Sequence, residues 1–164
     1  VDEMNQIVLE ILSLSSVQEL AGDKEWIQLD QVVEQILDQY KVLAQSRSLT
    51  IDNQIPDKAV YMDPAILKLV LSNVISNAVK HSDAGGEIQL RLEEEGTHLA
   101  VENTSQEMVE TAEMPMTASS QKKEGGLGLF VVQHLLDHEE LAYQFDKTAM
   151  GLRFRMELPK EPQE

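Results

Sequence analysis

Apolar residues recur along the chain with two different periods, which predict three helices and several short strands. The clearest run is Leu67–Val79, where apolar residues fall three and four positions apart, as in an amphipathic helix with one face in the core. Asp63 and Pro64 supply an N-cap and a first-turn proline, so this helix is predicted to begin at Pro64. The same spacing predicts two further helices, Gln31–Ser46 with Asp30 as its N-cap, and Gly126–His138.

Alternation of apolar and polar residues predicts the strands. Glu87–Leu92 and Thr97–Asn103 alternate around a Glu/Gly turn, as in a hairpin with one buried face. Shorter strands are predicted at Trp26–Leu29, Leu49–Asn53, Val60–Tyr61, Leu141–Asp146 and Leu152–Leu158. Between the hairpin and the last helix, Thr104–Glu124 lacks a regular pattern, and a connection of this length is usually functional or disordered.

The amino-terminal segment carries its own helical pattern. Apolar residues recur over Val1–Ser15, at Met4, Ile7, Val8, Ile11 and Leu12. Such a stripe needs a partner, which is either another helix or the domain that follows. Ser16–Lys24 reads as a linker, in which Gly22 is a candidate hinge.

Composition restricts the class of protein. A chain of 164 residues with 42% hydrophobic content is enough for one globular core. The formal charge of −16 and the lack of a basic stripe among the 13 Lys and Arg argue against a nucleic-acid partner. No apolar run reaches the roughly 18 residues that a membrane helix needs, so this segment is expected to be cytosolic. Without cysteine there are no disulfides, thiolate metal sites or cysteine nucleophiles.

A polar stripe on the central predicted helix is the first candidate for chemistry. Asn73, Asn77, Lys80 and His81 follow one another at i, i+4, i+7 and i+8. Asparagine is a poor helix former, because its side chain competes for backbone hydrogen bonds, so two of them one turn apart need a reason. The pattern suits a metal and phosphates, although a solvated polar face would also explain it.

A glycine cluster further along the chain is the second candidate. Glu124-Gly-Gly-Leu-Gly-Leu-Phe-Val-Val132 leads directly into an apolar helical run. Glycines before a helix let backbone N–H groups approach an anion at the positive end of the helix dipole. The cluster matches neither a P-loop nor a dinucleotide fingerprint, and on its own it is also compatible with a tightly packed helix start.

In this order and separation, the two segments resemble the N box and G2 box of the catalytic, ATP-binding domain of sensor histidine kinases, in the GHKL ATPase superfamily. The resemblance covers nearly the whole chain and implies a Bergerat-type fold, a two-layer α/β sandwich with a mixed sheet covered on one face by the three helices. It divides the chain into the end of a dimerisation helix (1–16), a linker (17–25), the catalytic domain (26–160) and a tail (161–164). The patternless connection corresponds to the ATP lid.

The resemblance also implies ATP and Mg²⁺ as ligands and assigns roles to particular residues. Asn77 would hold Mg²⁺ against the triphosphate through its amide oxygen, with Asn73 as its companion near the metal, and oxygen ligands suit this cation. Lys80 would contact phosphate, and His81 would lie beside the nucleotide. The remaining residues of the implied ATP site are Gly126 and Gly128 at the phosphates, Lys122 and Lys123 at the end of the lid, Asn103 at the adenine amino group, and Ala78, Met108, Leu127 and Leu129 in the pocket.

The chain departs from the family pattern in two places. After its strand the family usually has Asp-x-Gly-x-Gly, whereas this chain has Asn103-Thr-Ser-Gln-Glu107, with a carboxamide for the carboxylate and neither glycine. No phenylalanine lies within Val109–Gln121, so the aromatic segment of the lid is not evident.

His134 and His138, one turn apart beside Asp137, could be mistaken for a metal pair, but a helix C-terminus stabilises histidine and no third ligand is identifiable.

The implied activity is transfer of the ATP γ-phosphoryl group to a histidine on the dimerisation helices, for relay to the receiver domain of a response regulator. The implied whole protein is a membrane-anchored homodimer with this domain in the cytoplasm. Two alternatives stay open, a degenerate GHKL interaction module that has lost nucleotide, and a serine kinase like the anti-sigma factors. ATP-hydrolysing members are disfavoured, because their helix carries a glutamate that activates water and Asn73 stands one turn before Asn77 here.

Overall fold

The computed structural model describes residues 22–106 and 127–161, and for residues 127 and 128 it describes the backbone alone. Three helices are present: α1 (Leu29–Ser46), α2 (Pro64–His81) and α3 (Leu127–His138). The strands are β1 (Glu25–Gln28), β2 (Thr50–Asn53), β3 (Ala59–Met62), β4 (Glu87–Glu93), β5 (His98–Thr104), β6 (Tyr143–Lys147) and β7 (Gly151–Glu157). Each predicted element in these ranges is confirmed, with ends shifted by one or two residues. The predicted helix Val1–Ser15 lies outside the described residues.

Five strands form one mixed sheet in the order β2-β4-β5-β7-β6. Strand β2 pairs with β4 in parallel, and the other three pairings are antiparallel. Strands β1 and β3 form a separate antiparallel pair, a division that the sequence pattern did not predict.

The two faces of the five-stranded sheet differ in chemistry, as strand alternation requires. On one face, apolar residues of β4, β5 and β7 share a single core with the buried faces of the helices. On the other face lies a network of ion pairs, in which Arg91, Arg153 and Arg155 contact Glu93, Glu94, Glu102 and Asp146. The predicted two-layer α/β sandwich is therefore confirmed. None of the described helices combines the length and the hydropathy that crossing a membrane requires.

Helix α2 begins where the sequence predicted, and for the predicted reason. The carboxylate of Asp63 is 3% exposed, and its Oδ1 accepts a hydrogen bond from the backbone N–H of Ala65 at 2.9 Å. Its Oδ2 accepts from the backbone N–H of Gly22. One buried side chain therefore caps α2 and holds the segment that enters the domain.

The prediction that Asp30 caps the first helix is wrong. Helix α1 begins at Leu29, two residues before the predicted start at Gln31, and its N-cap residue Gln28 makes no side-chain cap hydrogen bond. The backbone N–H of Leu29 instead donates to the carbonyl of Lys58 at 2.8 Å, next to the β1–β3 pairing. A tertiary contact, and not a side-chain cap, thus satisfies the N–H of the first helical residue.

Candidate functional site

A narrow crevice between helices α2 and α3 and the end of the sheet contains the candidate site. Among the described residues it is lined by Val74, Asn77, Ala78, Val101, Asn103, Leu129, Phe145, Leu152 and Phe154. Four of the predicted site residues, Asn77, Ala78, Asn103 and Leu129, are in this set. The free volume is about 10 Å³, close to the space of one water molecule, so a larger ligand must separate the walls.

Asn103 lies at the end of β5 and is only 5% exposed. It shares the helix-facing side of the sheet with Leu99 and Val101, because side chains alternate along the strand. Its register partners are Ile88 on β4 and Leu152 on β7. Within the described residues, its carboxamide makes one hydrogen bond, from Nδ2 to the carbonyl of Thr104 at 3.5 Å. A bond of that length is weak, so contacts with described residues leave most of the hydrogen-bonding capacity of this group unused.

The polar stripe of α2 is divided between the crevice and the surrounding surface. The half-buried carboxamide of Asn77 lines the crevice and makes no hydrogen bond to other described residues. Asn73, one turn earlier, donates its Nδ2 to the carbonyl of Leu69 at 2.7 Å, which leaves its amide oxygen turned away from the helix backbone. Lys80 is exposed and His81 half-buried, and neither lines the crevice among the described residues.

The last turn of α2 is held by a long-range contact. The guanidinium of Arg47, just after α1, donates to the carbonyls of Val79, Lys80 and Ser82. These carbonyls have no partner within the helix, so the arginine satisfies acceptors that would otherwise need water. Lys80 adds positive charge near the same negative end of the helix dipole, which stabilises α2 whatever else this residue does.

The first part of the glycine cluster, up to Gly126, lies outside the described residues. Helix α3 begins at Leu127, Gly128 is its second residue, and the helix packs against α2. Leu129, 2% exposed, brings the start of α3 to the crevice. The predicted site residues Met108, Lys122, Lys123 and Gly126 are outside the described residues.

The histidines of α3 form no metal site with described neighbours. No group of three or more His, Cys, Asp or Glu side chains within 22–106 and 129–161 could hold a metal ion. Nδ1 of His138 lies 3.7 Å from the carboxylate of Glu139. The interpretation of His134 and His138 as residues of a helix end is consistent with this arrangement.

Sequence reasoning did not identify five of the nine described lining residues as part of the site, namely Val74 and four residues of the sheet. Val101, Phe145, Leu152 and Phe154 come from β5, β6 and β7, and the rings of Phe145 and Phe154 lie 5.2 Å apart. Their alternation predicts that they are buried, but only the pairing of β5 with β7 and of β7 with β6 brings them to Asn103.

Comparison with known proteins agrees with this architecture. Residues 62–162 match the profile of a family described as histidine kinase-, DNA gyrase B-, and HSP90-like ATPases. The chain is 30% identical to the sensor histidine protein kinase HK06 of Streptococcus pneumoniae serotype 2, over 96% of this chain and 37% of that protein. It is 29% identical to the sensor protein VanSB of Enterococcus faecalis, over 96% of this chain and 38% of that protein. The chain therefore spans little more than a third of these curated relatives.

Solved structures share the fold at lower identity. The histidine kinase AdeS of Acinetobacter baumannii superposes with a TM-score of 0.75 at 21% identity, covering 96% of this chain and 79% of that one. The catalytic domain of the histidine kinase ThkA gives a TM-score of 0.68 at 19% identity, covering 87% of this chain and all of that domain, 100%. With a family match that includes α2, the crevice and the last strand, the chain belongs to the histidine kinase-, DNA gyrase B- and HSP90-like ATPases.

Proposed function

We propose that this chain is the ATP-binding catalytic domain of a sensor histidine kinase, which transfers the γ-phosphoryl group of ATP to a histidine of a longer protein. The observation that carries the proposal is the crevice, where Asn77 of α2, Asn103 of β5 and the start of α3 meet. An apolar cleft with a few convergent polar groups is the usual form of a nucleotide pocket. Two curated relatives that match 96% of this chain, one named a sensor histidine protein kinase and one a sensor protein, favour this member of the ATPase family.

The residues present also fit a magnesium ion. The Asn77 carboxamide at the crevice makes no hydrogen bond to other described residues, and Asn73 donates its Nδ2 to the carbonyl of Leu69, so its oxygen is the atom that would coordinate. Carboxamide oxygens, waters and phosphate oxygens are the ligands that Mg²⁺ accepts. Asn77, assisted by Asn73, would hold the ion, which would offset negative charge on the phosphates.

The remaining groups act by positioning and by charge. The Lys80 ammonium, exposed one turn beyond Asn77, can reach phosphate oxygens and neutralise part of their charge. Asn103 orients the base from the floor of the crevice. A nitrogen of the acceptor imidazole then attacks the γ-phosphorus, the bond to the β–γ bridging oxygen breaks, and ADP leaves.

The partners and location proposed for the whole protein follow from the same assignment. Dimerisation helices of the longer protein would carry the acceptor histidine, and a response-regulator receiver domain would take the phosphoryl group onward. The proposal includes a membrane-anchored homodimer with this domain in the cytoplasm, and Gly22 as part of the linker across which the domain moves.

Calorimetry of the 164-residue chain with ATP and excess Mg²⁺ tests the binding step. We expect saturable binding that Asn77→Ala weakens by at least about tenfold, because a metal-holding oxygen is removed. Asn53→Ala is the matched control, because Asn53 lies on edge strand β2, away from the crevice. Its carboxamide oxygen accepts a hydrogen bond from the backbone N–H of Ile55. In the longer protein, Asn77→Ala should also abolish labelling of histidine from γ-labelled ATP.

Two results would favour the alternatives. No heat and no thermal shift at millimolar nucleotide would support a degenerate interaction module, for which the replaced glycines after Asn103 and the narrow crevice are the relevant observations. ATP binding with phosphate transferred to serine, and none to histidine, would support a serine kinase.

A further inference from the structure

The polar group available to recognise a base in the crevice is the Asn103 carboxamide, which can act as a hydrogen-bond donor or as an acceptor. Asn103 is the most deeply buried polar side chain of the crevice, at 5% exposed, and none of the described lining residues is charged. The apolar walls at Ala78, Val101 and Leu129 suit the faces of a flat ring, whereas Asn103 can pair only with a polar edge. The identity of the edge is therefore read chiefly by one carboxamide.

The orientation of this carboxamide is weakly held. Its one hydrogen bond among the described residues, from Nδ2 to the carbonyl of Thr104, is 3.5 Å long, beyond the ordinary range for N–H···O. Turning the amide over exchanges Nδ2 and Oδ1 and, within the part of the chain that the structure describes, sacrifices only that long contact. Both the donor and the acceptor can therefore face the ligand.

The purines differ at the position such a group reads. A 6-amino purine presents an N–H donor there, and a 6-oxo purine presents a carbonyl acceptor. A carboxylate offers acceptors alone, so it would pair with the first and repel the second. A carboxamide pairs with the amino group through Oδ1, or with the carbonyl through Nδ2.

We propose that Asn103 lets the crevice accept 6-oxo-purine nucleoside triphosphates as well as ATP. The proposal rests on the nucleotide-binding function proposed above and adds its substrate range. A site with a fixed polarity rejects the mismatched analogue because buried polar groups are left unpaired, and an amide that turns over avoids that penalty.

Inosine triphosphate is the appropriate probe, because it replaces the 6-amino group of ATP by a carbonyl, and the acceptor N1 by N1–H, without adding the 2-amino group of guanine. Calorimetry of the 164-residue chain with excess Mg²⁺ should give Kd values for ATP and inosine triphosphate within about tenfold of each other. Asn103→Asp should weaken the binding of inosine triphosphate by at least about tenfold relative to the binding of ATP. Asn103→Leu should weaken the binding of both nucleotides equally. Asn53→Asp, the same chemical change on edge strand β2, should leave the ratio unchanged.

The outcomes separate the two proposals. If ATP binds and inosine triphosphate binds more than about tenfold less tightly, the inference is overturned and the kinase proposal stands. An unchanged ratio in folded Asn103→Asp also overturns it, since another group would then read the base. If neither nucleotide binds, the nucleotide-binding function itself fails. Should Asn103→Asp not fold, the wild-type ratio and Asn103→Leu still decide.

Discussion

Gly151 is the residue at which strand β7 approaches β5 too closely for any side chain. A Cβ added there would lie 2.3 Å from the backbone N of Ser105 and 2.4 Å from the carbonyl oxygen of Asn103. Both neighbours are backbone atoms, which cannot rotate out of the way. Gly151 also stands opposite Thr104, next to the Asn103–Leu152 pair that forms the end of the crevice. The absence of a side chain here helps to place Asn103.

Gly151→Ala should therefore separate β5 from β7 locally. We expect a loss of about 2–3 kcal/mol in the free energy of unfolding, measured by urea denaturation, from overpacking against backbone. Gly85→Ala is the comparison, because Gly85 has φ +79° but nothing within 4 Å of an added Cβ. It should cost only about 1 kcal/mol, the penalty of the left-handed conformation. Equal losses for the two variants would contradict the role given to the close approach.

Single residues also show which parts of the site the sequence could predict. Asn73 and Asn77 stand out because two asparagines one turn apart on a helix are locally unfavourable. Asn103 has no such local signal, and its candidate role came only from the family resemblance. Its burial depends on pairing with β7, and Arg47 reaches carbonyls 32 to 35 residues further along the chain. Contacts of that separation leave no periodic pattern.

At the scale of elements, helix α2 depends on Asp63, which caps it and also binds Gly22. Asp63→Ala removes both acceptors from a buried position, so we expect a loss of about 2 kcal/mol in the free energy of unfolding. Asp30→Ala is the matched control, since the hydrogen bonds that Asp30 accepts from described residues, Gln28 and Lys58, are long, at 3.3 Å each. It should cost about 0.5 kcal/mol or less. A larger loss at Asp30 than at Asp63 in urea denaturation would restore Asp30 as the important cap.

The junction of α3 with β6 contains a titrating group. Burial, together with a hydrogen bond to Asp137, raises the pKa of Tyr143 above its ordinary value of 10.0. Because the folded-state pKa is the higher one, the contribution of the neutral phenol is fully present below about pH 10 and is lost as pH rises through the folded value. Tyr143→Phe should therefore flatten the fall in the free energy of unfolding above about pH 10. Tyr61→Phe, which removes a phenol on β3 beside Trp26 and away from this junction, serves as the control; an identical slope in both variants would contradict the assignment.

Helices and strands that bury one face could be predicted from the sequence. Elements whose position depends on pairing between distant segments were harder to predict. α2, the β4–β5 hairpin and α3 follow from periodicity, because each buries a stripe that its own sequence records. The separate β1–β3 pair does not, since two four-residue strands give too short a pattern to specify a partner. The same pairing moved the start of α1 from the predicted position to Leu29.

At the scale of the whole molecule, most of the charge is negative, and three of the positive side chains are paired with carboxylates on the sheet. Of the 13 Lys and Arg against 29 Asp and Glu, the three arginines of the sheet contact carboxylates on the face opposite the helices. The pKa of Arg91 shows the balance: burial lowers it, but hydrogen bonds to Glu102 and Glu93 outweigh burial and raise it. These cations are held away from the crevice and contribute little to attracting an anionic ligand.

The net charge of −16 therefore repels a nucleotide as it approaches, even if local groups bind it once it arrives. Raising the salt concentration from about 20 mM to about 150 mM shortens the screening length to about 8 Å and should weaken this repulsion. We expect the association rate of Mg-ATP, followed by stopped flow at fixed free Mg²⁺, to rise by roughly two- to threefold. Adenosine, which carries no charge, is the control and should associate at a rate independent of salt. A fall in the Mg-ATP rate over this range would mean that a local cationic path dominates the approach, and the lysines near the phosphates would then steer the ligand as well as hold it.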